Sequence, residues 1–146
     1  MRLLTTGLMA TMLIAAPAAA QDEIAQEDGL VLSECLATEE ERDSCVGLIE
    51  QACKVAEGER CARREAEAWQ VLIEQRYVSL QQIASSDRDL AEGAVAIAEG
   101  QSDWARETAE SCEGEGPLCL RDAAVEQLAT LDAALAEAAE TDDAAE

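Results

Sequence analysis

ARREAEAWQVLIEQRYVSLQQI, residues 62–83, decides the fold. Ala62, Ala66, Trp69, Ile73, Tyr77, Leu80 and Ile83 follow one another at steps of three and four. Steps of that size return to one side of a 3.6-residue helix. The stretch therefore predicts an amphipathic helix of about six turns carrying a single apolar stripe.

The same period continues outward from this helix. Ser85-Ser86-Asp87 reads as a break and a new N-cap. Leu90, Ala94, Ile97, Gln101, Trp104, Thr108 and Cys112 then form the stripe of a following helix. Gly93 and Gly100 each weaken that helix by about 1 kcal/mol relative to Ala, which marks them as expected points of close backbone approach. Glu113-Gly114-Glu115-Gly116-Pro117 reads as a turn, with Pro117 suited to the first position of the last helix. Leu118, Val125, Leu128, Leu131 and Leu135 supply its stripe. Upstream, Glu39 to Val55 is expected to be helical with Cys45, Leu48, Ile49, Ala52 and Cys53 on one face, and Gly58 marks the next turn. Leu30, Val31, Cys35 and Leu36 are expected to line a short first helix. No strand alternation appears. The expectation is one all-α domain over residues 29–136, with about four to five helices packed antiparallel. The repeated breaks and local cysteine spacings favour it over an intermolecular coiled coil. Residues 21–28 read as a polar leader, and residues 137–146 as an acidic tail that frays.

Residues 1–20 have the pattern of a secretory signal peptide. Arg2 supplies the positive start, and Leu8, Met9, Met12, Leu13 and Ile14 the apolar segment. Ala18 and Ala20 are the small residues of an A-x-A cleavage site, with Gln21 as the new terminus. No other segment approaches about 18 continuous apolar residues, so a soluble mature protein without membrane insertion is expected. Export to an oxidising compartment, periplasmic or extracellular, makes Cys35, Cys45, Cys53, Cys61, Cys112 and Cys119 legible as three disulfides. Cys53 and Cys61 flank one glycine turn and Cys112 and Cys119 another, where Cα separations near about 5.5 Å are attainable. That leaves Cys35 to Cys45. A crossed scheme among the first four cysteines is also open on spacing. Staples suit a chain without Phe, whose aromatic residues are Trp69, Tyr77 and Trp104 and whose core must rest on Ala, Leu, Val and Ile. A disulfide contributes about 2–4 kcal/mol to such a small domain.

The composition excludes several kinds of chemistry. Without histidine there is no Ser-His or Cys-His pair, and without a C-x2-C pair zinc and c-type haem are disfavoured. Asp87-Arg88-Asp89 lacks the glycine and spaced oxygens of a calcium loop, and Gly114-Glu115-Gly116 is too short and too acidic to hold phosphate. No metal, cofactor or catalytic residue is expected. Arg60, Arg63 and Arg64 are expected to balance Glu59, Glu65 and Glu67 at helical spacing. The formal net charge of −22 repels nucleic acid and anionic membrane and attracts cationic partners. The same charge also serves solubility. A binding or structural role is what these exclusions leave.

Two constellations together resemble a known family. Trp69, Ile73, Tyr77 and Leu80 look like a W-x3-L-N-x2-Y-x2-L helix. Gln101, Trp104 and Cys112, followed by Cys119 and Leu120, look like a Q-x2-W-x7-C helix, a loop and a C-L helix start. With the signal peptide and upstream cysteines, the chain resembles the lysozyme inhibitor LprI family of small secreted bacterial proteins from about Cys35 to Leu131. The chain departs from the family pattern at Glu74, where Asn is usual, and at Thr108 and Gln127, where Arg is usual. Leu131 keeps the apolar position that follows. The resemblance implies a secreted helical protein that binds another protein, with a cationic lysozyme as the candidate target. Residues 103–146 hold thirteen acidic side chains against Arg106 and Arg121. Glu107, Glu110, Glu113 and Glu115, which fall outside the packed face, are the expected partner contacts. The alternative is an acidic interaction or structural module of the envelope with no activity toward lysozyme.

Overall fold

The computed structural model describes residues 18–38, 41–53, 58–86 and 88–143, and side-chain surroundings for all of these except 18–22, 84, 86, 88–95, 97–99 and 141–143. The order is α1 (Ala18–Thr38), a 3-10 helix (Arg42–Cys45), α2 (Leu48–Ala52), α3 (Gly58–Ser86), α4 (Arg88–Ser111) and α5 (Pro117–Asp143). Among the described residues there is no strand. The chain is a small, disulfide-stapled all-α domain.

α3 is the helix against which α1, α2, α4 and α5 all pack. The predicted stripe is its buried side: Ala62, Ala66, Trp69, Ile73 and Leu80 are buried, and Tyr77 and Ile83 half-buried. Ala68, Val71 and Leu72 are buried as well. A helix covered by neighbours on several sides buries more than one stripe, and each large side chain fully removed from water stabilises the fold by about 1.5–3 kcal/mol. The core is completed by Leu32 of α1, Cys45, Ile49 of α2 and Ala124, Leu128 and Leu131 of α5, with Trp104 of α4 packed against its edge.

Polar contacts set the helix directions. Cys112 is bonded to Cys119, and Gln127 Nε2 donates to Gln101 Oε1 at 2.8 Å, so α4 and α5 run antiparallel. Arg121 near the start of α5 pairs with Glu50 of α2, whose backbone N–H reaches Glu65 on α3. Further along, Arg76 of α3 pairs with Asp132 of α5 at 2.7 Å. α3 and α5 therefore run parallel, with α4 reversed between them in sequence.

The cysteines pair as nearest neighbours: Cys35–Cys45, Cys53–Cys61 and Cys112–Cys119, with Cα separations of 5.9, 5.7 and 5.6 Å. The crossed scheme is not adopted. Because Glu50 and Arg121 join α2 to the start of α5, the Cys53–Cys61 and Cys112–Cys119 staples lie toward the same end of the bundle. The opposite end, where α3 passes into α4, carries none.

Several expectations are corrected. The residues assigned to a polar leader belong to α1, which is helical from Ala18. Leu30 and Val31 are exposed, and α1 packs instead through Asp28, Gly29 and Leu32, with Cys35 and Leu36 half-buried. Of the helix expected over Glu39–Val55, residues 39–40 and 54–55 lie outside the described residues and 41–53 hold two short pieces, because Gly47 takes φ +87° and caps α2, and Ala52 is exposed. Leu118 is also exposed, since Pro117 occupies the buried position beside it. The acidic tail is helical as far as Asp143. Gly100 faces open space. The close approach is instead at Gly29, where an added Cβ would lie 3.0 Å from Val71 Cγ1. Residues 1–17 of the signal peptide, Asp87 of the helix break, residues 54–57 of the Gly58 turn, and the surroundings of Leu90, Gly93, Ala94 and Ile97 lie outside the described residues.

The Gly29 contact yields a measurable coupling. Gly29→Ala is expected to cost about 1–3 kcal/mol through overpacking. The penalty should shrink in a Val71→Ala background, which removes the obstructing methyl groups. Urea unfolding of the two single variants and the double variant measures this; equal penalties in both backgrounds would dismiss the contact as the cause.

Candidate functional site

The end of α4 and the turn after it present the expected partner residues. Glu107 and Glu110 are exposed on the last turns of α4, and Glu113 and Glu115 are exposed in the turn. The turn is closed by its own backbone: Cys112 N–H donates to Thr108 O at 2.9 Å, and Glu115 N–H to Cys112 O at 3.1 Å. Gly114 and Gly116 sit at φ +85° and +84°, a region costing other residues about 1–2 kcal/mol. Pro117 is buried, and Cys112 is buried and crosslinked to Cys119. The chain thus reverses over a few residues into α5, and the glutamates project from a crosslinked support.

Electrostatics leave this set unneutralised. The nearby arginines are engaged elsewhere: Arg106 with Asp103 at 2.9 Å, and Arg121 with Asp122 at 2.8 Å and Glu50 at 3.2 Å. Among the described residues, the carboxylates of Glu107, Glu110, Glu113 and Glu115 form no ion pair. Such a group accepts hydrogen bonds and attracts cations. Among the described residues no cluster of His, Cys, Asp or Glu is arranged to hold a metal ion. No described helix is long and apolar enough to cross a membrane.

The motif positions lie inside the frame. Trp69, Ile73, Leu80 and Leu131 are buried, and Tyr77, Gln101, Trp104 and Leu120 half-buried. Gln127, at the usual Arg position, forms a neutral amide pair with Gln101 that bridges α4 and α5. Thr108 is buried, where a guanidinium would have to be taken out of water, and Glu74 is exposed.

Three polar contacts escaped the sequence reading. Arg64 makes a bidentate pair with Asp28 of α1, one of its bonds at 2.8 Å. Arg42 and Arg76 share Asp132, with one carboxylate oxygen each at 3.0 and 2.7 Å. Glu65 is not a surface residue at all. It is fully buried, and its two oxygens accept the N–H groups of Gly47 at 2.5 Å and Glu50 at 2.8 Å, with a longer 3.4 Å contact from the Trp69 indole. Gly47 is the N-cap of α2, so a side chain from α3 performs the capping that α2's own residues do not. One signal for Glu65 was present: it lies four residues before Trp69, on the same side of the helix.

No family model, curated protein or solved structure matches this chain. The resemblance to the LprI family therefore rests on the sequence motifs and the leader pattern alone.

Removal of the Glu65 carboxylate tests its role. Glu65→Ala leaves the N–H groups of half-buried Gly47 and Glu50 without their acceptor, at up to about 1–3 kcal/mol for each one left unpaired. Glu65→Gln keeps one carbonyl acceptor and should lose distinctly less. Denaturant midpoints and the near-UV signal of Trp69 measure both. Equal losses for the two variants would show that volume, and not hydrogen bonding, is what the site requires.

Proposed function

We propose that this protein is exported, with cleavage after Ala20, and acts by binding a cationic hydrolase of the lysozyme type. The observation that carries the binding reading is the group of four exposed glutamates, Glu107, Glu110, Glu113 and Glu115, without ion pairs among the described residues. The crosslinked turn supports it, because carboxylates held in place lose less freedom on complex formation. The three disulfides fit an oxidising compartment. Lysozymes of the animal type are generally basic, so the field of a protein with formal charge −22 steers them toward it. The residues shared with the LprI pattern are those that pack or crosslink, and inhibition would follow if the bound loop obstructs the enzyme's cleft.

Binding and lytic assays with several lysozyme types, at low and physiological salt, test the reading. A complex is expected whose association slows as salt rises. Replacing Glu107, Glu110, Glu113 and Glu115 together by Gln should slow association by about tenfold or more. If no lysozyme binds or is inhibited at low salt, the lysozyme reading fails. The alternative then takes its place: an envelope interaction or structural module whose acidity maintains solubility.

A further inference from the structure

We propose that Gln21, once it becomes the first residue, closes to a pyroglutamyl ring, so that the mature protein carries a blocked and uncharged N-terminus. The proposal rests on the export reading above, which sets the cut between Ala20 and Gln21.

The first described side chains after the cut lie at the surface. Cleavage after Ala20 removes three residues of α1, less than one turn. The first buried positions in the described part of α1 are Asp28 and Gly29, while Glu23, Ile24, Gln26 and Glu27 are exposed. The packing of α1 begins there, with the Asp28–Arg64 pair and the contact of Gly29 with Val71. Of residues 23–27 Ala25 is half-buried and the other four are exposed, so none of them lies in the core. The disulfides likewise begin only at Cys35.

The chemistry needs no cofactor, metal or oxidant. The α-amine nitrogen of Gln21 attacks its own side-chain carbonyl carbon, Cδ. A Cδ–N bond forms and closes a five-membered lactam, the bond from Cδ to Nε2 breaks, and Nε2 leaves as ammonia with a proton from the amine. An α-amine titrates near about 7.7–8.0, so a useful fraction is neutral and nucleophilic close to neutral pH. Nucleophile and carbonyl belong to one residue, which gives the step the advantage of an intramolecular reaction. The product lacks both the terminal positive charge and the free amine that aminopeptidases need.

The test is mass spectrometry of the protein recovered from the periplasm after expression of the full 146-residue chain with its own leader. The intact oxidised protein is weighed and its N-terminal peptide sequenced, before and after prolonged incubation at neutral pH. The expected result is a chain beginning at residue 21, lighter than the sequence of 21–146 with three disulfides by one ammonia, and made sequenceable by a pyroglutamyl peptidase. Gln21→Ala should begin at the same position with a free amine. A wild-type chain that begins at Gln21 and keeps its free amine through the incubation overturns the proposal and leaves the export reading standing. A chain that begins elsewhere overturns the cleavage assignment and this modification with it.

Discussion

The carboxylate of Glu65 holds together the part of the fold that secondary-structure propensity serves least well. α2 is five residues long, far short of the length at which a helix persists by itself. Its N-terminal N–H groups need acceptors, and Gly47, which caps it, has no side chain to offer. Glu65 supplies both acceptors from α3, and in doing so its own charge is removed from water. A buried carboxylate is tolerated only when it is fully hydrogen-bonded. The dependence is thus mutual: α2 is helical because Glu65 is there, and Glu65 can be buried because α2 presents its N–H groups to it. Trp69, one turn away, fills the adjoining core.

A second constraint is compositional. The chain has no Phe, and its core relies on one fully buried Trp, aliphatic side chains and alanines. Such a core gains little area per residue, and two features offset this. One is the central position of α3, which lets a single helix bury residues toward four neighbours. The other is that the Cys53–Cys61 and Cys112–Cys119 disulfides lie together, where α2, α3, the end of α4 and the start of α5 meet. Between them the salt bridges Arg42–Asp132–Arg76 and Arg64–Asp28 join α1, the 3-10 helix, α3 and α5. The Arg42–Asp132–Arg76 bridges are partly exposed on both partners and add orientation more than free energy, whereas the Asp28 carboxylate is buried and needs Arg64 as its partner.

The proposed partner surface and the packed frame have separable physical bases. Trp69, Ile73 and Leu131 pack in the frame, Cys112 and Cys119 crosslink it, Gln127 forms an amide pair with Gln101, and Thr108 is buried. The exposed glutamates contribute nothing visible to packing, which is what leaves them available for Coulomb attraction. The exposure of all four was legible in the sequence because they lie off the apolar stripe of α4 or in a glycine-rich turn. Glu65 was not, because a carboxylate's burial depends on donors eighteen and fifteen residues away in the chain.

By itself the sequence determined the helical class, the long helices α3, α4 and α5, the turn between α4 and α5, and the side of α3 that carries Trp69. Each of these follows from local periodicity or from the conformational limits of Gly and Pro. The nearest-neighbour disulfides were also expected, although spacing left a crossed scheme open. The tertiary structure decided which face of α1 is buried, where the segment before α3 breaks, and which glycine permits close approach. It decided too which of the many acidic side chains are structural. Those outcomes depend on what another helix places opposite a residue: Val71 against Gly29, Arg64 beside Asp28, the N–H groups of α2 over Glu65. A one-dimensional pattern reports the phase of a helix, and the identity of the group facing it exists only once the helices have packed.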